Sequence, residues 1–296
     1  GKIPQNREVL EVVPHSYVLD GQTGIKEPLG MSGSRLEIIA NVVSALTPYV
    51  QNVEKVAEMA TVKPHGVIVA GLGAAKAVLK EAQLESGVAV VDLGGSTTTV
   101  SVFEEGDLQY VGVIPTGGVN ITNDLAIGLK TDPEVAEEVK LKHASAVARS
   151  GNDGVSVKRD GEIYNFETHE IDEIVEARLE EIFEAVQKEL KKAGSAGKLP
   201  SGVVLTGGTA NLKGIADFAK EQLGLAARIG KPAGFGGVAD NVTNPEFATA
   251  VGLMLLDAES DGTTQGRSNK HGGPDLKSAA KKTTGIVSQF LKRFKA

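Results

Sequence analysis

Residues 90–99 read VVDLGGSTTT, and residues 203–212 repeat the plan as VVLTGGTANL. In both, an apolar run suited to a central strand ends in a Gly-Gly pair, so backbone amides with no Cβ in the way can approach an anion. In the first stretch Asp92 is placed to hold a metal ion or its water, and Ser96, Thr97 and Thr98 offer hydroxyls. The second leads into a helix expected from near Asn211, whose N-terminal amides favour an anion or a nucleoside lying against backbone. Either loop alone also serves as a structural turn, because such turns need glycine for geometry and Ser and Thr suit strands. Two in successive units of one chain favour a nucleotide site. Neither has the GxxxxGK[ST] or GxGxxG order of the common phosphate and dinucleotide loops.

A chain of 296 residues can bury about two globular cores. Its 38 acidic against 31 basic residues give a formal charge of -7, so the global field does not gather nucleic acid, and none is expected as a partner. Cysteine is absent, which removes disulfides, thiolate ligands and a thiol nucleophile together. The five histidines, at 15, 65, 143, 169 and 271, share no metal-binding spacing, so no directly held metal is expected. No apolar run reaches the roughly 20 residues that span a bilayer, and GKIPQNREVLEVV lacks the apolar block of a signal peptide. The chain starts on Gly with a strand-like VLEVV close behind, as in a processed product or a fragment.

Residues 7–33 give short β-rich runs punctuated by Pro14, Gly21, Gly24, Pro28 and Gly30. SRLEIIANVVSAL fits a helix or a strand, since its apolar positions are too dense for one period to win. VQNVEKVAEMATV has helical spacing at Val50, Val53, Val56 or Ala57, and Ala60; HGVIVAG reads as a short strand and LGAAKAVLKEAQLES as one helix. GVAVVDLGG, the alternating TTVSVF and a turn at EEGD predict a β-meander. VNITNDLAIGLK is a helix capped by Asn120 or Thr122, and TDPEVAEEVKLKHASA another, with Asp132 as cap and Pro133 at its first position. Short strands in NDGVSVKRDGEIYNFETHE precede a long helix with one stripe through Ile171, Ile174 or Val175, Arg178 or Leu179, Ile182 or Phe183, Val186 and Leu190, ending at Gly194. A strand, glycine turn and helix follow, then a buried helix in NPEFATAVGLMLL. Beyond it DAESDGTTQGRSNKHGGPDLKSAAKK reads as a flexible linker.

The ordered set of motifs resembles FtsA, the actin-like bacterial cell-division family. REVLEVVPHSYVLDGQTGIKEPLGMSGSRLE resembles the opening of its small 1C subdomain, and VVDLGGSTTTVSVFEEGDLQYVGVIPTGGVNITNDLAIGL its second phosphate loop. TDPEVAEEVKLKHASA resembles the helix facing the base and ribose, VVLTGGTANLKG the adenosine loop, and IDEIVEARLEEIF the helix of subdomain 2B. The resemblance implies an α/β, actin-like (ribonuclease H-like) two-lobed fold with a 1C subdomain and an incomplete first lobe. Its subdomains would be 1C at 1–62, a remnant of 1A at 63–88, 2A at 89–150 and 199–258, and 2B at 151–198, followed by a linker at 259–280 and a terminal helix at 281–296. It also implies ATP with Mg2+ as cofactor. Asp92, Gly94, Gly95, Ser96 and Thr97 would serve phosphate and magnesium water, Glu137 and Lys140 the base and ribose, and Gly207, Gly208 and Thr209 the adenosine. Read without it, Glu137 and Lys140 are an intrahelical ion pair worth roughly 0.2–0.5 kcal/mol.

This family places its first phosphate loop on the first strand, ahead of 1C, and this chain begins almost at 1C. The early Asp20-Gly21 falls inside 1C as a turn. ATP is therefore expected to bind weakly or not at all, and no Asp, Glu or Gln stands out as a base for water, so the chain is at most a weak ATPase.

In GIVSQFLKRFKA the apolar Ile286, Val287, Phe290, Leu291 and Phe294 share one helical face, with Lys292, Arg293 and Lys295 around the other. Such a basic amphipathic helix lies in a membrane interface, fills a partner's groove, or docks on its own domain. The family resemblance implies the membrane. Function follows as an adaptor that binds the C-terminal peptide of FtsZ, meets other division proteins, self-associates into filaments and sits on the cytoplasmic face of the membrane at the division site. The competing readings are an actin-like ATPase and a PilM-like pilus-assembly adaptor.

Overall fold

The computed structural model describes residues 5–64, 66–147, 149, 151, 153–235 and 242–264. The tail helix and the linker from residue 265 on lie outside the described residues. Among the described residues there are three sheets.

The first sheet is built from β1 (Arg7–Leu19), β2 (Gln22–Ile25) and β3 (Leu36–Leu46) in the antiparallel order β2-β1-β3. Helix α1 (Thr47–Met59) continues directly from β3. SRLEIIANVVSAL is thus a strand. Pro14 does not break β1: the register shifts between Pro14 and Ser16, and β2 pairs only from Tyr17 onward, so the missing amide falls where no neighbour needs it. Of the expected stripe on α1 only Val50 is buried, while Val53 and Val56 stay exposed. Asn41 donates to the Leu108 carbonyl at 3.3 Å and to Gln109 at 3.2 Å, and Lys26 pairs with Glu105, fixing this unit to the edge of the large sheet.

The large sheet holds β4 (Val88–Leu93), β5 (Thr98–Glu104), β6 (Asp107–Ile114), β9 (Val203–Thr206) and β10 (Ala227–Ile229) in the order β10-β9-β4-β5-β6. β9 runs parallel to β4, and the meander β4-β5-β6 is antiparallel. Glu105 and Gly106, at φ 54° and 80°, make the tight turn expected at EEGD. A hairpin, β7 (Gly154–Arg159) with β8 (Glu162–Glu167), forms the third sheet.

Period-two alternation divides the large sheet into two cores. Ala89, Val91, Leu93, Val100, Val102, Val203 and Leu205 face α4 (Gly118–Gly128), α5 (Pro133–His143), α6 (Thr168–Lys192) and α7 (Ile215–Leu223). Of the predicted stripe of α6, Ile171, Val175, Leu179, Ile182, Phe183, Val186 and Leu190 lie in this core, Ile174 packs at its edge and Arg178 instead pairs with Asp124; each fully buried Leu, Ile or Phe is worth roughly 1.5–3 kcal/mol. Val88, Val90, Phe103 and Val204 face α2 (Ala70–Val78), α3 (Glu81–Ser86) and α8 (Ala248–Thr264). Asp92, Ser101 and Thr206 share that second parity.

Several elements differ from expectation. Residues 66–69 carry no ladder, for no described strand lies beside them. The helix expected over 72–86 is broken at Leu79 and Lys80, both extended, so that Leu79 turns inward to the core. Gly117 caps α4, and Asn120 reaches back to its amide at 3.0 Å rather than serving as cap. Asp132 and Pro133 start α5 as predicted, without a cap bond from Asp132. The helix expected near Asn211 is a single 3-10 turn, Gly208–Asn211, and α7 begins only at Ile215 behind Gly214. α8 runs through to Thr264, overtaking the first residues read as linker; Lys76 pairs with Glu259 at 2.7 Å across the α2–α8 contact. No described helix is long and apolar enough to cross a membrane.

Candidate nucleotide site

β4 and β9 deliver the two Gly-Gly loops side by side, with Asp92 opposite Thr206 in the ladder. Sheet parity turns Asp92 toward α8, where Thr249 donates to its Oδ2 at 3.1 Å. Burial pushes the Asp92 carboxyl above its ordinary range, and the hydroxyls of Thr249 and Thr206 only partly offset this.

The turn after β4 closes by the Gly94 amide donating to the Thr97 carbonyl at 3.0 Å. Gly95, Ser96 and Thr97 remain exposed, and no described group accepts from the amides of Gly95 or Ser96. Thr98 is withdrawn from the expected hydroxyl set, since it is fully buried and donates to the Thr116 carbonyl at 2.9 Å. Gly207 serves close packing: at φ 86° a Cβ there would stand 2.4 Å from Asp92 Oδ1. Gly208 faces open space, with nothing within 4 Å of the same position, and Thr209 donates to the Gly94 carbonyl at 3.1 Å, joining the loops.

A third glycine pair, Gly117-Gly118, completes the cradle. A Cβ on Gly117 would lie 2.6 Å from the carbonyls of Gly94 and Gly95, and one on Gly118 would lie 2.5 Å from Thr209 Oγ1. Sequence reasoning passed over this pair as a segment beyond the loop; its signal was the same strand-to-Gly-Gly junction at VIPTGG.

Glu137 and Lys140 do form the intrahelical pair, at 2.7 Å, and it is anchored further. Lys140 Nζ donates to Thr122 Oγ1 at 2.8 Å and to the Gly118 carbonyl at 3.1 Å, and Thr122 also bonds Glu137. Burial pushes the Glu137 carboxyl up, but the bonds from Lys140 and Thr122 outweigh it and hold the group below its usual range. Beside this cluster opens a cavity of 240 Å³, lined by Ile121, Lys140, His143, Gly208, Thr209 and Lys213 among others. Arg149, also at its edge, is committed to Asp172 by bonds of 2.8 and 2.6 Å. Lys213, which the sequence reading did not single out, is the lining cation whose ammonium has no described partner.

Asp92, the open amides, Thr209, Gly118 and Lys140 therefore form one path from a carboxylate to a cavity with cationic walls. A nucleotide fits this donor set: amides free of Cβ for phosphate, a half-buried carboxylate for a cation or its water, and a pocket for the nucleoside.

The architecture and this path define an actin-like fold. The solved structure of MreB5 of Spiroplasma citri bound to ADP superposes at TM-score 0.62 with 13% identity, over 85% of this chain and 90% of that one. The PilM-PilN type IV pilus biogenesis complex gives 0.62 with 19% identity, over 86% and 67%. Residues 89–252 match the family model for cell division protein FtsA, and residues 1–44 that for the SHS2 domain inserted in FtsA. The FtsA of Pseudomonas aeruginosa is 38% identical over 266 residues, and that of Neisseria meningitidis 35% over 266. The FtsA of Escherichia coli K12 is 33% identical over 270 residues. In each comparison the match covers 88% of this chain and 64% of the relative, so the chain spans just under two thirds of their length. The chain belongs to the FtsA family of cell division proteins.

Proposed function

We propose that this chain works as a nucleotide-responsive division adaptor, linking FtsZ to the membrane rather than turning over substrate. The carrying observation is the continuous cradle from Asp92 through Gly94, Gly95, Thr209 and Gly118 to Lys140, built on a chain that belongs to the FtsA family. In this reading Gly95, Ser96 and Gly208 amides hold phosphate, Asp92 holds the water of a magnesium ion, and Glu137, Lys140 and Lys213 border the nucleoside. ATP with Mg2+ would supply a charge that draws these loops together; the chain's own residues position it. Titration calorimetry with Mg-ATP tests the nucleotide part of this reading, and the absence of any binding signal would overturn it.

The same reading assigns residues 1–62 to 1C, 63–88 to 1A, 89–150 and 199–258 to 2A, and 151–198 to 2B, which would take the C-terminal peptide of FtsZ. Residues 281–296 would lie in the cytoplasmic face of the membrane, with Ile286, Val287, Phe290, Leu291 and Phe294 in the acyl boundary and Lys292 and Arg293 at anionic headgroups. Self-association into filaments and contacts with other division proteins complete the proposal. Sedimentation with vesicles containing anionic lipid, comparing the full chain with one ending at Thr264, tests the anchor: both pelleting equally would overturn it.

A further inference from the structure

The 240 Å³ cavity beside α5 has two distinguishable ends. Thr209 donates to the Gly94 carbonyl at 3.1 Å, so the side lined by Gly208 and Thr209 belongs to the phosphate loops. The other side ends at Lys213, whose backbone is fixed to the chain leaving α5. It pairs with Ser145 in an isolated parallel bridge, and its carbonyl accepts from the Ala146 amide at 2.8 Å. A volume of 240 Å³ is below the roughly 300–1,000 Å³ of pockets that take whole ligands, so with phosphates outside it suits a nucleoside. Ile121, Leu141 and Leu212 give that nucleoside apolar walls.

The polar part of the lining is one-sided. None of its described residues is Asp or Glu. Lys140 is committed to Glu137, Thr122 and the Gly118 carbonyl, Lys142 to Glu138 at 2.6 Å, and Arg149 to Asp172 and the His143 carbonyl. His143 lies in the field of Glu138. Lys213 is left as a group of three donors and no acceptor, with no described partner, at the end away from the phosphate loops. A purine reaching that end presents the edge far from its sugar, which carries the 6-substituent: an amino donor in adenine, a carbonyl acceptor in guanine, with acceptor N7 beside it in both. A donor-only side chain therefore meets two acceptors on guanine, but one acceptor and a competing donor on adenine.

We propose that Lys213 sets the base preference of this site, favouring 6-oxopurine nucleotides over adenine nucleotides. The proposal rests on the nucleotide reading above and deepens it: ATP stays a ligand, while the far wall is matched to guanine. Lys213 is exposed, so water competes for its protons and the preference is severalfold rather than absolute.

Calorimetric titration of the full chain with the magnesium complexes of GDP, IDP and ADP tests it. IDP carries the 6-carbonyl of guanine without the 2-amino group, so it isolates position 6. GDP and IDP are expected to bind about fivefold tighter than ADP. ADP binding as tightly as both, or tighter, overturns the proposal and leaves the nucleotide site standing. No binding by any of the three overturns the nucleotide reading and the proposal with it. GDP tighter than IDP, with IDP equal to ADP, places recognition at the 2-amino group and overturns the role of Lys213. Lys213→Met is expected to bring the three within about twofold of one another, and Lys213→Glu, an acceptor for the 6-amino group, to make ADP the tightest. Lys213→Arg, which offers a donor fork to O6 and N7, is expected to keep the preference. A preference undiminished in Lys213→Met, with an unchanged thermal unfolding midpoint, overturns Lys213 as its source.

Discussion

Thr249 donates its hydroxyl to Asp92 at 3.1 Å, tying the first turn of α8 to the carboxylate near the end of β4. The bond crosses from β4, which ends at the Gly94-Gly95 loop, to α8. Thr249→Val keeps the shape and removes the donor from a carboxylate already pushed up by burial. It is expected to cost about 1–2 kcal/mol at pH 8 and less at pH 4, because the hydroxyl bonds the ionised carboxylate more strongly than the protonated acid. Urea unfolding at both pH values reads this; equal losses would contradict it.

Glu11 presents the same physics without a donor for one oxygen. It lies in β1, 4% exposed, and its Oε1 has no described partner. Burial pushes its carboxyl from 4.5 up to about 7, against a lowering bond from the Val12 backbone. Between those values the folded state keeps a proton that the unfolded chain has released, so this group's contribution is full below 4.5 and is lost as pH rises through 7. Glu11→Gln is expected to gain about 2–3 kcal/mol at pH 8 and nothing measurable at pH 4. A parallel offset at both pH values would rule out the titration.

Lys140 satisfies three acceptors on two helices, and its side chain is only 13% exposed. Lys140→Met removes the charged donor and leaves the Thr122 hydroxyl as the remaining side-chain partner of both the Gly118 carbonyl and the Glu137 carboxylate, and is expected to destabilise by about 1–2 kcal/mol. It should also weaken any Mg-ATP signal seen in calorimetry. An unchanged unfolding midpoint would mean that the cluster does not hold α4 to α5.

The α2–α8 crossing depends on two glycines. A Cβ on Gly252 would stand 1.6 Å from the Gly73 carbonyl oxygen, which is backbone and cannot swing away. Gly252→Ala is expected to cost about 3 kcal/mol or more, separating the helices that cover the Asp92 face. Thermal unfolding measures it, and a change within error would refute the close approach.

How far the sequence could be read depended on whether a signal was local. The stripe of α6, the meander with its Glu105-Gly106 turn and both strand-to-glycine loops follow from period and turn chemistry, and all three stand in the fold. The failures came where distant partners decide. Residues 66–69 look like a strand but have no described neighbour to pair with, and Pro14 looks like a break but falls at an irregularity with no β2 beside it. The site behaved alike. Asp92 was visible from its strand; Thr249, 157 residues away in sequence, was not, nor were Gly117 and Gly118, whose role is set by the carbonyls of Gly94 and Gly95.

The most direct measurement is a bridging assay, in which a labelled FtsZ C-terminal peptide is sedimented with anionic vesicles in the presence of the full chain or of a chain ending at Thr264. The expected result is peptide in the pellet with the full chain and in the supernatant with the shortened one. Full chain on the vesicles with all peptide left in solution would contradict the adaptor role.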